Sequence, residues 1–592
     1  MTGAVALWVT LYVFSMTSYV SNAIASRAHF VLPPIVELVP SHSVDVSNHA
    51  EESFVLSDSQ IDTLFERFSQ RVTSVHPKFV PAYVLGDLEM FLISGFFDSR
   101  TVLHGDDHPR VFAMALTRRH NQPLAYELEC VLRFSSDSEK SFVVKPEVFI
   151  VPEHNNRPWV VSMFYCPLDL QYLYQKLCQG KEVSCLANTI PTQVAFKHSS
   201  ESHHRDDIVW MDLTVSQEML DLLSTETYDH NPSYLSKLLS SFDLVGLYSQ
   251  KLSAELKLDH YSKPETIYLC TAPIRMKVYE NYLVHWVEFY KALGVEKIVT
   301  YDSKPSHITK QVMDLYQSDG FLEVYDWPLP SAEEMNTLRP PNSSIPTLER
   351  KGRESNVHDF GQIATHADCI LRTAGRSRWT LILDFDEFLV AQSQRMDVQS
   401  LIQSHLNEIG ATQLQPAQLA GFHYFAFFYK ACNLTHAQEY SLKAGLDPKF
   451  IPSLFSTSRA EATDGFGRRT KFIVDPLLVD VMGIHSPFTI LGNFNESNGI
   501  LKRFNSWSYK FEKTPAIKMS RIGRINKHLD RIMFIHPDVA HCHHIRAKFY
   551  VKCVCEPDHL KGSIENSKLA QYFGDEVVQG VGKTLSRLEV VD

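Results

Sequence analysis

A chain of 592 residues, of which 44 % are hydrophobic and 11 % aromatic, can bury more than one hydrophobic core, so we predict two folded domains. This composition excludes a disordered protein. The formal net charge of −11, without a run rich in Lys and Arg, argues against nucleic acid as a partner.

The amino-terminal segment is typical of a targeting sequence. Residues 1–26 contain no charged side chain, and the apolar stretch Ala4 to Phe14 is followed by the small-residue sequence Ala23-Ile24-Ala25. The pattern predicts a signal peptide over residues 1–25. The uncharged run is also long enough to span a bilayer, so a signal anchor with a single membrane span is the alternative. Either one sends the rest of the chain into the secretory lumen, where its ten cysteines can form disulfides.

Residues 26–255 are predicted to form a β-rich domain. Polar turns such as EHNNRP (153–158) separate segments that are rich in Val, Phe, Tyr and Ile, a composition typical of strands. These segments are YELECVLRF (126–134), SFVVKPEVFIVP (141–152) and WVVSMFYCPLDL (159–170).

From about residue 260 the sequence alternates between strand and helix patterns. Helical apolar stripes end at Gly294 and Gly320, and Ser306 is expected to cap the second helix. The βαβαβ order predicts a parallel sheet with right-handed crossovers. Its first three strands are predicted at ETIYLCTA (265–272), VEKIVTYD (295–302) and FLEVYDW (321–327).

A fourth strand of the same sheet carries two acids. The Pro-rich segment 328–346 is predicted to be a surface loop, and a helical stripe from Phe360 to Ala374 then leads to RWTLILDFD (378–386). In open parallel sheets, ligands bind beyond the carboxyl ends of the strands, and Asp384 and Asp386 stand at such an end.

The Asp-x-Asp pair suggests a metal site. Side chains two apart on a strand share a face, so both carboxylates can reach one ion, whereas Glu387 is expected to point away from Asp386. Mg²⁺ and Mn²⁺ prefer oxygen ligands and need few protein carboxylates when a diphosphate completes the shell. Two alternatives remain: a solvated loop, and a phosphatase of the haloacid-dehalogenase type, in which the first Asp is a nucleophile. Phe388 stands where those phosphatases prefer Thr or Val.

Several spaced motifs resemble glycosyltransferase family 92, a GT-A fold family of galactosyltransferases. The likeness extends over residues 90–570. It is carried by the segment 268–302, which begins YLCTAPIRMKVYENYL, by Gly361-Gln362 and Cys369, by LILDFDEF (381–388), RRTKFIVDPLLVDVMGIHSP (468–487) and HHIRAK (543–548), and upstream by LISGFFDSR (92–100) and MFYCPL (163–168).

The resemblance implies an α/β fold, with a GT-A type, Rossmann-like nucleotide-sugar-binding sheet at residues 256–575 and a tail at 576–592. The implied activity is inverting transfer of a hexose, expected to be galactose, from a UDP-sugar to a glycan or glycoprotein acceptor. The protein is then expected in the Golgi membrane or, after cleavage, in a secreted form. The alternative is a non-catalytic carbohydrate-binding protein of the same fold, against which the intact acids and His485 count.

The resemblance also implies roles for individual residues. Asp384, Asp386 and His485 are expected to hold Mn²⁺ or Mg²⁺. Asp464 and Glu461 are expected to include the general base that takes the proton of the acceptor hydroxyl, with Glu387 as the fallback. Cationic groups suit phosphate oxygens, and strand ends suit the nucleoside. The residues expected at the donor are Thr271, Ala272, Arg275, Asp302, Gln362, Asp384, Arg468 and Lys471.

Overall fold

A computed structural model of the chain describes most of the two predicted sheets. The expected targeting segment 1–25 and the expected domain boundary at 255–256 lie outside the described residues. Within the described ranges, no helix is both long and apolar enough to cross a bilayer. The ranges are 66–67, 70–84, 87–100, 109–119, 125–134, 141–178, 187–200, 208–224, 266–275, 280–337, 356–410, 419–430, 445–446, 451–455, 458–460, 470–485, 487–491, 532–545 and 563–589.

The described residues of the amino-terminal region form a nine-stranded, mostly antiparallel sheet. The predicted β-rich character is therefore confirmed. Its elements are strands β1 Val80–Val84, β2 Asp87–Asp98, β3 Arg110–Arg118, β4 Leu128–Arg133, β5 Ser141–Val144, β6 Glu147–Ile150, β7 Trp159–Pro167, β8 Gln193–His198 and β9 Met211–Thr214, and helices α1 Leu170–Cys178 and α2 Gln217–Ser224. The strand order is β5-β4-β8-β9-β2-β3-β7-β6, with β1 beside β2.

Both faces of this sheet are buried at its centre, which explains the continuous apolar sequence of β3. Phe112 and Met114 belong to a hydrophobic core that also contains side chains of the second sheet. Val111 and Ala113 point to the opposite face and belong to a core made by the amino-terminal region alone. Successive residues of a strand alternate between faces, so a strand that is covered on both sides needs apolar residues throughout.

The second sheet has eleven strands in the described part of the chain. Its strands are β10 Ile267–Cys270, β11 Lys297–Asp302, β12 Leu322–Asp326, β13 Trp379–Ile382, β14 Glu387–Ala391, β15 Gly421–Lys430, β16 Ser458–Ala460, β17 Thr470–Val474, β20 Ile532–Phe534, β21 Ala540–Ile545 and β22 Ser563–Glu565; β18 Val479–Met482 and β19 Pro487–Ile490 form a separate hairpin. The helices are α3 Glu280–Ala292, α4 His307–Ser318, α5 Ala332–Thr337, α6 Gln362–Thr373, α7 Val398–Gly410 and α8 Lys568–Glu589, with 3-10 helices at His358–Gly361 and Pro452–Phe455.

The predicted βαβαβ unit is confirmed. Strands β12, β11, β10 and β13 are adjacent and parallel in that order, and β17 and β15 continue the sheet in antiparallel pairing. Ser306 caps α4 by accepting a hydrogen bond from the Thr309 backbone N–H. Gly294 and Gly320 follow α3 and α4 with φ of 90° and 74°, a conformation that favours glycine.

Two local expectations, the loop in the Pro-rich segment and the strand position of the two acids, are wrong. The expected start of the tail also falls within a helix. Part of the Pro-rich segment is helical, because Ser331 and Glu334 form a capping box at the start of α5. Asp384 and Asp386 are not on a strand: β13 ends at Ile382, and the two acids occupy the turn before β14. The expected tail boundary at 575–576 lies inside α8.

Buried charges join the amino-terminal sheet to the β18–β19 hairpin. Asp98 forms ion pairs with Arg100, at 2.8 Å between Oδ1 and Nε, and with Arg110, at 2.9 Å between Oδ2 and Nη2. Arg110 also pairs with Asp480 on β18, and Arg100 donates to the Val479 carbonyl. Buried charges are tolerated only with such partners. This cluster therefore fixes the β18–β19 hairpin against the amino-terminal sheet.

Candidate functional site

Asp384 is the first acid of the turn, and both of its carboxylate oxygens are engaged. Oδ1 accepts a hydrogen bond from Gln362 Nε2 at 2.6 Å, and Oδ2 accepts one from Lys471 Nζ at 2.7 Å. Burial alone would raise the pKa of this carboxyl, but the charge of Lys471 outweighs it and holds the pKa of Asp384 well below its usual range. Asp384 is therefore an anion with a fixed orientation.

Lys471 lies on β17, and its buried ammonium joins two carboxylates. Nζ is 2.9 Å from Glu387 Oε2 in addition to its contact with Asp384. Burial lowers the pKa of Lys471, yet the two carboxylates more than compensate and raise it above its ordinary value. The residue was expected at the donor; the structure places its charge against the acids of the turn.

Glu387 does not point away from Asp386 as expected. The turn reorients the chain, so that β14 begins at Glu387 and pairs this residue with His544 on β21. Glu387 Oε2 also accepts a hydrogen bond from the Asp384 backbone N–H at 2.9 Å. Ligand atoms of Asp386, Glu387 and His544 lie within 4.8 Å of one another. The period-two rule failed here because it applies within a strand and not across a turn.

This acid–histidine cluster, Asp386, Glu387 and His544, fits a divalent cation. His544 Nε2 is 3.3 Å from Asp386 Oδ2, and Nδ1 is 3.7 Å from Glu387 Oε1, too far for a hydrogen bond. The buried Nδ1 has no hydrogen-bond partner among the described residues. Two carboxylates and an imidazole are a donor set that suits Mn²⁺. Burial lowers the pKa of His544, and the neighbouring carboxylates reverse this and raise it.

His485 was expected to bind the same ion as Asp384 and Asp386. It follows the β18 strand, and Thr470 Oγ1 donates to its carbonyl at 2.7 Å. Its charge helps to lower the pKa of Asp384, so it lies near that acid. It is not a member of the acid–histidine cluster.

Four of the expected donor residues share the carboxyl edge of the parallel strands with Asp384. Thr271 directly follows β10, and its buried hydroxyl has no hydrogen-bond partner in the described part of the chain. Arg275 places its guanidinium 3.9 Å from the centre of the Phe360 ring. Asp302 ends β11 and pairs with Lys310 at 3.0 Å. Ala272 is beside Thr271. Arg468, Asp464 and Glu461 lie outside the described residues.

Helix α3 holds the turn from behind, a role that the sequence alone did not reveal. Trp286 Nε1 donates to the carbonyls of Asp384 and Glu387 at 3.1 and 3.2 Å, and the Tyr290 hydroxyl donates to the Glu387 carbonyl at 2.8 Å. Both residues stood in an apolar helical stripe that predicts core packing. Their polar edges were the available signal, because buried Trp and Tyr normally need a hydrogen-bond acceptor.

The strand order, the acidic turn at its carboxyl edge and the acid–histidine cluster define an α/β protein with a GT-A type sheet that follows a β-rich region, as expected. Residues 265–533 match the model of glycosyltransferase family 92. Beta-1,4-galactosyltransferase galt-1 of Caenorhabditis elegans is 28 % identical over 110 residues, which are 18 % of this chain and 21 % of that protein. The chain thus spans about a fifth of the length of this relative.

Solved structures are similar at much lower identity. A mycobacterial protein is 12 % identical with a TM-score of 0.18, over 38 % of this chain and 58 % of its own. Glucosyl-3-phosphoglycerate synthase from Mycobacterium tuberculosis, in complex with Mn²⁺, UDP-glucose and phosphoglyceric acid, is 11 % identical with a TM-score of 0.17, over 38 % and 61 %.

Proposed function

We propose that the protein is a metal-dependent, inverting glycosyltransferase that transfers a hexose from a UDP-sugar to a glycan or glycoprotein acceptor. The observation that carries the proposal is the cluster of Asp386, Glu387 and His544 at the carboxyl edge of the parallel strands. Asp386 and Glu387 lie within residues 265–533, which match the model of glycosyltransferase family 92. Galactose is the proposed sugar, since the family resemblance and a relative that is itself a galactosyltransferase both favour it.

The cluster would hold Mn²⁺ or Mg²⁺, and the bound ion would supply positive charge to stabilise the departing UDP. The chain prepares this position in advance. Gln362 and Lys471 hold Asp384, and Trp286 holds the backbone on both sides of the turn. A site whose supporting contacts are already made needs little reorganisation when its ligand arrives.

The edge that carries Thr271, Ala272, Arg275 and Asp302 is proposed to bind the nucleoside of the donor. The unsatisfied Thr271 hydroxyl supports this, because a buried polar atom without a partner is costly unless a ligand completes it. Arg468 is proposed to meet the diphosphate. His485, beside Asp384, is proposed to complete the donor site or the metal shell.

The secretory lumen, and the Golgi membrane in particular, is the proposed location. Disulfides join Cys130 to Cys166 and Cys270 to Cys369, and such bonds persist in oxidising compartments. The uncharged segment at residues 1–26 supports the same location.

The test is a donor panel with the full chain purified from animal cells. Hydrolysis and transfer are measured for UDP-galactose, UDP-glucose and UDP-N-acetylglucosamine, with Mn²⁺, with Mg²⁺ and with a chelator. We expect metal-dependent turnover of one donor, strongest for UDP-galactose, and its loss in Asp386→Ala. Absence of binding and turnover with every donor would overturn the proposal, as would full activity in that variant. Hydrolysis of simple phosphate esters would instead favour a phosphatase.

A further inference from the structure

The amino-terminal sheet sends one acidic side chain toward the site. Glu153 begins the polar turn between β6 and β7, and its Oε2 accepts a hydrogen bond from the Ile484 backbone N–H at 3.2 Å. Ile484 directly precedes His485, whose charge acts on Asp384. Glu153 therefore lies at the margin of the site although it comes from the other sheet.

The turn that carries Glu153 is fixed in place from both sides. Asn155 and Asn156 adopt φ of 46° and 55°, which closes the turn tightly. At its far end, the Trp159 backbone N–H donates to the Asn356 carbonyl at 3.3 Å. A few residues beyond Asn356, Gln362 reaches Asp384. The turn is thus attached to two segments, 356–362 and 483–485, that flank Asp384.

The free oxygen of Glu153 is available to a ligand. Oε2 is used by Ile484, whereas Oε1 accepts no hydrogen bond from any described residue, and the side chain is only partly exposed. The charged groups that act on it are Asp359 of the 3-10 helix and Lys471 of β17. Burial is the largest influence and raises the pKa of Glu153 to about 7, with Asp359 adding to the rise and the Ile484 N–H and Lys471 opposing it.

We propose that Glu153 is the general base of the transfer, so that the β-rich region supplies a catalytic residue. The acceptor hydroxyl oxygen forms a bond to the anomeric carbon and passes its proton to Glu153 Oε1. The bond from that carbon to the diphosphate oxygen breaks, and its electron pair leaves with UDP. This inference rests on the proposed function, since inversion in one step needs one base. A base whose pKa lies near neutral pH is partly unprotonated at that pH and still has enough proton affinity to take the proton of the acceptor hydroxyl.

The decisive variant is Glu153→Gln, which keeps an oxygen acceptor for the Ile484 N–H but cannot take a proton. We expect the transfer rate to fall roughly 10²- to 10⁴-fold, while affinity for UDP in the presence of Mn²⁺ stays within about twofold. The wild-type rate should decline below pH 7, and this acid limb should be absent from the residual activity of the variant. Glu296→Gln, an exposed acid at the opposite end of the parallel strands, is the matched control and should behave as wild type.

Thermal unfolding gives a second readout that does not depend on activity. A carboxyl whose pKa is raised by folding favours the folded state when it is protonated, and that contribution is lost as pH rises through about 7. Glu153→Gln should therefore melt at a higher temperature than wild type at about pH 8, and the difference should shrink steadily on acidification. An equal melting temperature at all pH values would contradict the protonation behaviour that a base here requires.

The rival bases are tested in parallel with Asp464→Asn and Glu461→Gln. If the wild type transfers the sugar and Glu153→Gln loses less than threefold in rate, this inference is overturned and the proposed function stands. Loss of the acid limb in Asp464→Asn or Glu461→Gln would then identify the base instead. A wild type that handles no UDP-sugar overturns the proposed function and this inference with it. If Glu153→Gln cannot be recovered folded, the wild-type profile decides: a transfer rate that is flat between about pH 6 and pH 8 refutes the base.

Discussion

Asp384 and Asp386, the two aspartates of the turn before β14, are separated by a single residue, yet their surroundings differ. Asp384 is compensated by Lys471 and Gln362 and uses both oxygens within the protein. Asp386 faces His544 and Glu387, with a buried imidazole nitrogen that lacks a hydrogen-bond partner among the described residues. The difference suggests a division of roles: the first acid holds the turn and the second binds the ligand.

The largest effect is expected from removing the Lys471 ammonium, which pairs with both Asp384 and Glu387. Lys471→Met removes a buried ammonium and leaves the buried Glu387 and the partly exposed Asp384 without their shared partner, so it should cost roughly 3–5 kcal/mol in the free energy of unfolding. Urea unfolding measures this. Lys310→Met, which removes an ammonium that is 39 % exposed, should cost less than about 1 kcal/mol. Equal losses in the two variants would show that burial does not distinguish these pairs.

The stability difference between wild type and Lys471→Met should depend on pH. Because the pKa of Asp384 is lowered by folding, its ion pair stabilises the protein above the ordinary pKa of aspartate, and this contribution is lost as pH falls below about 4. The stability gap between wild type and Lys471→Met should therefore be widest near neutral pH and should narrow on acidification. A gap that is constant down to about pH 3 would contradict this assignment.

Loss of the second acid should affect ligand binding and leave stability nearly unchanged. Asp386→Ala removes a proposed metal ligand, so we expect loss of Mn²⁺ binding and a fall in turnover of roughly 10²- to 10³-fold. Little change in melting temperature is expected, because this carboxylate is 26 % exposed and is not paired with Lys471. Calorimetric titration with Mn²⁺ and the donor assay measure both. Asp538→Asn, at a side chain that is 83 % exposed, is the control. A large loss of stability in Asp386→Ala would remove the contrast with Asp384.

His544 should matter less than Asp386, because an imidazole brings no negative charge to the ion. We expect His544→Gln to weaken Mn²⁺ binding by roughly 10- to 100-fold. Titration with Mn²⁺ in the absence of a UDP-sugar isolates this effect from donor binding. If His485→Gln weakens Mn²⁺ binding more than His544→Gln does, the metal lies on the Asp384 side of the turn.

The smallest effect is expected at Thr271, on the edge proposed for the nucleoside. Thr271→Val removes one unsatisfied hydroxyl and should raise the donor KM by an amount equivalent to about 0.5–1.5 kcal/mol, with kcat unchanged. The folded state should lose no stability, since the hydroxyl has no hydrogen-bond partner among the described residues. Steady-state kinetics over donor concentration test this. An unchanged KM would place the nucleoside elsewhere.

Sequence reasoning located the parallel strands, the cap at Ser306 and the acids at the strand end, because these depend on local periodicity and on residues within one turn. It misjudged Glu387, since the side-chain direction across a turn depends on how the next strand pairs. His544 was part of a recognised motif, but its place beside Asp386 follows from the pairing of β14 with β21, which are more than 140 residues apart in the chain.

The sequence by itself determined the βαβαβ order of the first parallel strands and the pair of acids that follows the fourth of them. Only the tertiary structure decided which acid is compensated by Lys471, which histidine joins the second acid and how Glu153 reaches the site from the other sheet. The physical reason is that hydrophobic periodicity is a property of each segment, whereas the compensation of buried charges depends on long-range pairing that brings distant segments together.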